Sequence, residues 1–203
     1  MFKQAVAAAA LLAALTSAQA AAPLELILDA PGAQAVGFEV VPSLEGADYS
    51  FGTLVGNAGA HVTYTYLGAS TPAWNFFAAS DRVLTNLANA GAPGSDIGSS
   101  IAETVTETSV LDFGFGQAGP LGEVEAVNGQ IGAPFAIFGN GTDPIQTRYG
   151  SFRYVLGFDD GADSVDYNDL VIGVSAVPEP GTVTLMLAGF AACLFILRRQ
   201  RKR

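Results

Sequence analysis

The densest group of chemically capable side chains lies between Gly157 and Leu170, where Asp159, Asp160, Asp163, Asp166, Asn168 and Asp169 fall within eleven residues. All six offer oxygen, and no lysine or arginine stands among them. Hard cations such as calcium take six to eight oxygen ligands, and crowded carboxylates repel one another unless a cation neutralises them. The segment is therefore a candidate calcium loop, with a solvated acidic loop as the alternative. It is not an EF-hand, because it lacks both the Asp-x-Asp-x-Asp-Gly run and a closing Glu. In an extended segment Asp166 and Asn168 share a face and Asp169 points away, so Asp169 is expected to cap the turn.

Other chemistries find less support. His61 is the sole histidine, and no Gly-x-Ser-x-Gly elbow is present to pair with it. Gly114-Phe115-Gly116-Gln117-Ala118-Gly119 has the spacing of a dinucleotide loop, but Pro120 and Gly122 leave no helix behind it. Glu123 and Glu125 are a carboxylate pair of the kind a polysaccharide hydrolase or lyase uses, although sequence spacing does not set their separation in space. Trp74, Phe76 and Phe77 are either a sugar platform or core aromatics. The expectation is a binding protein rather than an enzyme.

These residues must be positioned by strands. Glycine and proline punctuate short runs rich in Val, Ile, Thr, Tyr and Phe, which predicts an all-β domain, a two-sheet antiparallel β-sandwich. Expected strands are Leu24–Asp29, Val36–Val41, Tyr49–Leu54, His61–Tyr66, Ala73–Ala78, Thr104–Phe115, Pro134–Phe138, Phe152–Phe158 and Asp169–Val174. Alternation places Val62, Tyr64 and Tyr66 on one face, and likewise Phe152, Tyr154, Leu156 and Phe158. Ser80–Ala90 is the one helical candidate, capped by Ser80.

Both ends read as targeting signals. Lys3, the apolar run to Leu15 and the Ala18-Gln19-Ala20 ending predict a signal peptide over 1–20, cut by signal peptidase. Residues 21–176 then form one exported domain. The uncharged stretch Thr182–Leu197 is read as a transmembrane helix; at about 1.5 Å per residue it rises roughly 24 Å, a little short of a bilayer core of about 30 Å. The basic tail 198–203 holds its end on the cytoplasmic side. Lys3 and that tail set aside, three basic residues face nineteen acidic ones, a net charge of −16 on the exported part. Such a surface repels nucleic acid and suits cations or solubility. The single cysteine, Cys193, lies in the apolar stretch, so the exported domain has neither a disulfide nor a thiol nucleophile.

Val177-Pro178-Glu179-Pro180, the apolar stretch and the arginine cluster, in that order, resemble the PEP-CTERM sorting signal, also called the ice-binding protein C-terminal domain. The resemblance covers 177–203. It implies recognition of Pro178-Glu179-Pro180 by an exosortase, a membrane-embedded protease and transpeptidase. It further implies removal of the helix after a transient single-pass stage, and delivery to the cell surface or exopolysaccharide matrix. Ice binding is not implied, since no threonine-rich flat repeat accompanies it. The Phe158-Asp159-Asp160 and Asp166-Tyr167-Asn168-Asp169 elements are similar to the end of the DUF4114 family, with Asp159 in place of a Glu and a shorter loop between. That resemblance implies a non-enzymatic, calcium-dependent β-sandwich. The expected function is that of an exported surface or matrix protein, with extracellular polysaccharide among its expected partners. A carbohydrate-binding or adhesive module is the alternative.

Overall fold

The computed structural model describes residues 22–87, 94–117, 123–161 and 166–178. The expected signal peptide and transmembrane helix lie outside them, and among the described residues no helix is long and apolar enough to cross a membrane. Pro23–Val177 forms one compact unit.

Among the described residues fourteen strands occur: β1 (Leu24–Gln34), β2 (Asp48–Gly56), β3 (Ala60–Gly68), β4 (Asn75–Ala79), β5 (Arg82–Thr85), β6 (Ser100–Thr104), β7 (Ser109–Val110), β8 (Phe113–Gln117), β9 (Glu123–Val127), β10 (Phe135–Phe138), β11 (Ile145–Thr147), β12 (Gly150–Phe152), β13 (Tyr154–Phe158) and β14 (Leu170–Pro178). The fold is all-β. The large sheet runs β1-β2-β10-β13-β14-β3-β6, with β7 also beside β2; the smaller runs β5-β4-β8-β9; β11 and β12 form a separate hairpin. Neighbours such as β10 and β13, β13 and β14, and β4 and β8 pair antiparallel.

The centre of the large sheet is covered on both faces, which is why its strands read as nearly unbroken apolar runs. Along β10, Phe135 and Ile137 enter one core while Ala136 and Phe138 enter the other. The first core joins the sheets: Tyr64, Tyr154, Leu156 and Phe158 from the large sheet meet Phe77, Phe113 and Phe115 from the smaller. Phe115 and Phe158 stack with centroids 5.3 Å apart, each ring fully buried. Burying such a side chain contributes about 2–3 kcal/mol. The second core is closed by the irregular segment 35–47, which delivers Phe38, Val41 and Leu44 onto Phe138, Val155 and Val171.

Four local expectations are corrected. Val36–Val41 is not a strand: Gly37 takes φ +73°, and the Glu45 carboxylate accepts hydrogen bonds from the Gly37 and Phe38 amides. Ser80–Ala90 does not begin as a helix: Ser80 and Asp81, at φ +47° and +61°, are the two-residue turn joining β4 to β5, a primed hairpin turn made without glycine. Residues 88–90 lie outside the described set. Thr104–Phe115 divides among β6, β7 and β8. Phe152 faces the second core, not the first, because a bend at Arg153 separates β12 from β13 and reverses the parity. By contrast, Val62, Tyr64 and Tyr66 share the first core as the alternation predicts.

Candidate functional site

The acidic segment joins β13 to β14, entering after Phe158 and leaving at Leu170. Backbone bonds pin both ends: Asp159 N donates to Pro134 O, Asp169 N to Phe158 O, and Ser70 N to Asn168 O. Tyr167 takes φ +55°, unusual for a residue with a Cβ, and its carbonyl lies against Gly157. A Cβ on Gly157 would stand 2.2 Å from that oxygen, so glycine at 157 is what lets the turn fold back on β13. The Tyr167 ring packs against Tyr49 and Phe51, with centroids 5.1 and 5.9 Å away.

The left-handed residue at 167 breaks the extended alternation, and the acidic residues sort differently from expectation. Asp166 Oδ1 accepts from Asn168 N at 3.3 Å. Asn168 is buried and donates through Nδ2 to Gly37 O, towards the segment that closes the second core. Asp159 caps its own turn by accepting from Gly161 N at 2.9 Å. Asp163 lies outside the described residues. The two acidic residues that meet are Asp160 and Asp169: the Asp160 backbone N–H donates to Asp169 Oδ2 at 2.8 Å.

That pair is keyed into the smaller sheet. Asp160 Oδ2 accepts from Asn75 Nδ2 at 2.9 Å and from Thr71 Oγ1 at 3.0 Å, and Asn75 Nδ2 also reaches the Asp169 carbonyl. Asn75 opens β4 and is fully buried, while Asp169 is only 8 % exposed. Burial, followed by the negative charges of Asp160 and Asp166, pushes the Asp169 carboxyl up to about 7, against the opposing pull of the Asp160 N–H. The oxygen of the same buried amide, Asn75 Oδ1, has no hydrogen-bond partner among the described residues; neither have Asn168 Oδ1 and Trp74 Nε1. The Nδ2 of the Asn75 amide thus holds one carboxylate, that of Asp160, and one backbone carbonyl, that of Asp169.

Two carboxyl groups and an orphaned amide oxygen are an oxygen-only set, suited to a hard cation rather than to zinc or a redox metal. No three His, Cys, Asp or Glu side chains are placed together to hold a metal among the described residues. Thr71 and Asn75 were not found from the sequence. Their only signal was one polar residue interrupting the aromatic run Trp74-Asn75-Phe76-Phe77.

Of the other candidates, Gly114-Phe115-Gly116-Gln117 lies in β8, a strand and not a phosphate loop. His61, on β3, is exposed, with Nδ1 2.9 Å from Thr104 Oγ1 on β6. The sugar platform is not an exposed row: Phe77 is fully buried, Trp74 and Phe76 half-buried. The sorting residues Val177 and Pro178 are the exposed end of β14, and Glu179 and Pro180 lie outside the described residues.

Comparison with known proteins bears on this last region. Residues 176–202 match the PEP-CTERM protein-sorting motif. No curated protein and no solved structure matches the chain.

Proposed function

We infer that the chain is an exported protein processed by an exosortase, because residues 176–202 match the PEP-CTERM sorting motif. From it we propose a non-enzymatic protein of the cell surface or exopolysaccharide matrix, built as a β-sandwich and released from the membrane by cleavage near Pro178-Glu179-Pro180. The sorting motif is the observation that carries this reading. Its test is replacement of Pro178, Glu179 and Pro180 by alanine. The expected result is uncut protein retained in the inner membrane; unchanged release defeats the proposal.

Within that reading, the domain binds one calcium ion at Asp160, Asp169 and Asn75. The support is the buried orphan oxygen of Asn75, whose amide nitrogen holds the Asp160 carboxylate, and the contact between Asp160 and Asp169. Water and backbone oxygens complete the coordination, and the ion ties the β13–β14 loop to β4. Saturation a hundredfold above Kd raises stability by about 2.7 kcal/mol. For a domain of this size that is a Tm increase of roughly 5–10 °C. Calorimetry of the processed protein with and without calcium reads it directly. No shift, or a shift that survives Asp160→Asn, removes the ion from this site.

A further inference from the structure

A second loop, at the other end of the large sheet, carries a different chemistry. Phe135 pairs with Phe158 beside the acidic loop, and Phe138 pairs with Val155 at the opposite end, where the chain leaves β10 through Gly139–Pro144. In that loop stands Asn140-Gly141-Thr142. Of the seven asparagines in the chain, Asn140 alone is followed two residues later by Ser or Thr. This is the acceptor pattern for N-linked glycans, which require a surface position in an exported protein.

The local geometry suits the transfer. Asn140 is exposed. Its Oδ1 accepts three hydrogen bonds, from Thr142 N at 2.9 Å, Thr142 Oγ1 at 2.8 Å and Asp143 N at 3.0 Å. Its Nδ2 donates to Asp143 Oδ2 at 3.2 Å, on the surface. Donors gathered on the carbonyl oxygen stabilise negative charge there, so removing a proton from Nδ2 costs less. The turn itself is rigidly seated. Gly141 has φ +74°, a Cβ on it would meet the Tyr154 hydroxyl at 2.2 Å, and the Arg153 guanidinium donates to its carbonyl. Asn128-Gly129 is the useful contrast: Gln130 replaces the hydroxyl residue, and the Asn128 side chain is buried and fully engaged.

We propose that Asn140 is an N-glycosylation acceptor. The donor is an oligosaccharide linked through a diphosphate to a membrane lipid, and the catalyst an oligosaccharyltransferase on the exported side. Asn140 Nδ2 attacks the anomeric carbon, forming the C–N bond. The C–O bond to the diphosphate breaks, the lipid diphosphate leaves with that electron pair, and the amide proton passes to the transferase.

The inference rests on the export reading, and its test keeps the two apart. Peptide mass mapping of the protein from its producing cells, in membrane and external fractions alike, is expected to find a sugar mass on Asn140. The sugar is retained in Thr142→Ser, which keeps the hydroxyl, and lost in Asn140→Gln and Thr142→Val. Equal Tm values across the variants exclude misfolding as the cause. An unmodified Asn140, or isoaspartate alone, in protein correctly cut and released overturns the glycan and leaves the sorting reading intact. Uncut protein bearing the sugar overturns the sorting reading instead.

Discussion

Two buried asparagines join the smaller sheet to the large one, and they do so in opposite ways. Asn128, directly after β9, accepts from Leu54 N at 2.9 Å and donates to Leu54 O and Leu111 O at 2.8 Å each. Every polar atom of its side chain is satisfied by neutral backbone. Asn75, at the start of β4, spends both amide hydrogens on the acidic loop and leaves its oxygen without a partner among the described residues. Buried polar groups are expected to be paired, because an unpaired one costs on the order of 1–3 kcal/mol. The completed junction is thus a structural tie, and the incomplete one, held to the Asp160 carboxylate through its nitrogen, keeps a buried oxygen that can still accept.

The comparison breaks first at Asn128. Alanine there leaves Leu54 N–H and Leu111 C=O buried without their partner, a loss of about 3 kcal/mol. Denaturant unfolding should show that loss equally with and without calcium, because the side-chain oxygen of Asn128 is already paired with backbone. A calcium-dependent rescue of Asn128→Ala would mean that the two ties are not independent.

A smaller effect separates the junctions by pH. In the metal-free protein the unfolded chain gives up the Asp169 proton near its ordinary 3.8, whereas the folded chain keeps it up to about 7. Across that window the folded state binds more protons, so its stability falls as pH rises from about 4 to about 7. The fall reflects burial of the charged carboxylate, net of the Asp160 N–H that stabilises it. Asp169→Asn retains an acceptor for that N–H and should flatten this part of the profile, as thermal melts across the range would record. An unchanged slope would place the responsible group elsewhere.

How much of this was legible depends on the separation of the partners. The alternation of Val62, Tyr64 and Tyr66 is a local property, and β3 buries that face as expected. The acidic loop was visible because its carboxylates are neighbours in sequence. Which of them bond locally and which reach the smaller sheet was not, because one left-handed residue, Tyr167, turns the chain and the partner on the smaller sheet is distant in sequence. Phe152 was assigned to the wrong face because a bend at Arg153 changes parity while the pattern of residue types continues unbroken. The two asparagine ties were invisible in principle. Asn128 bonds to Leu54 across 74 residues and Asn75 to Asp160 across 85, and no periodicity in the sequence encodes such a pairing.

The finest distinction lies within the acidic loop itself. Asp159 and Asp166 each accept a hydrogen bond from a backbone amide two residues on, near the surface, while Asp160 reaches across to the other sheet. Removing a local cap of this kind costs about 0.5 kcal/mol. Asp159→Ala and Asp166→Ala should therefore barely move the metal-free Tm and should preserve the calcium shift expected of the proposed site, which Asp160→Asn is expected to abolish. If the pattern is reversed, with the shift lost at 159 or 166 and kept at 160, the ion sits on the outer rim of the loop. The orphaned oxygen of Asn75 would then be a cost of packing and not an invitation to a ligand.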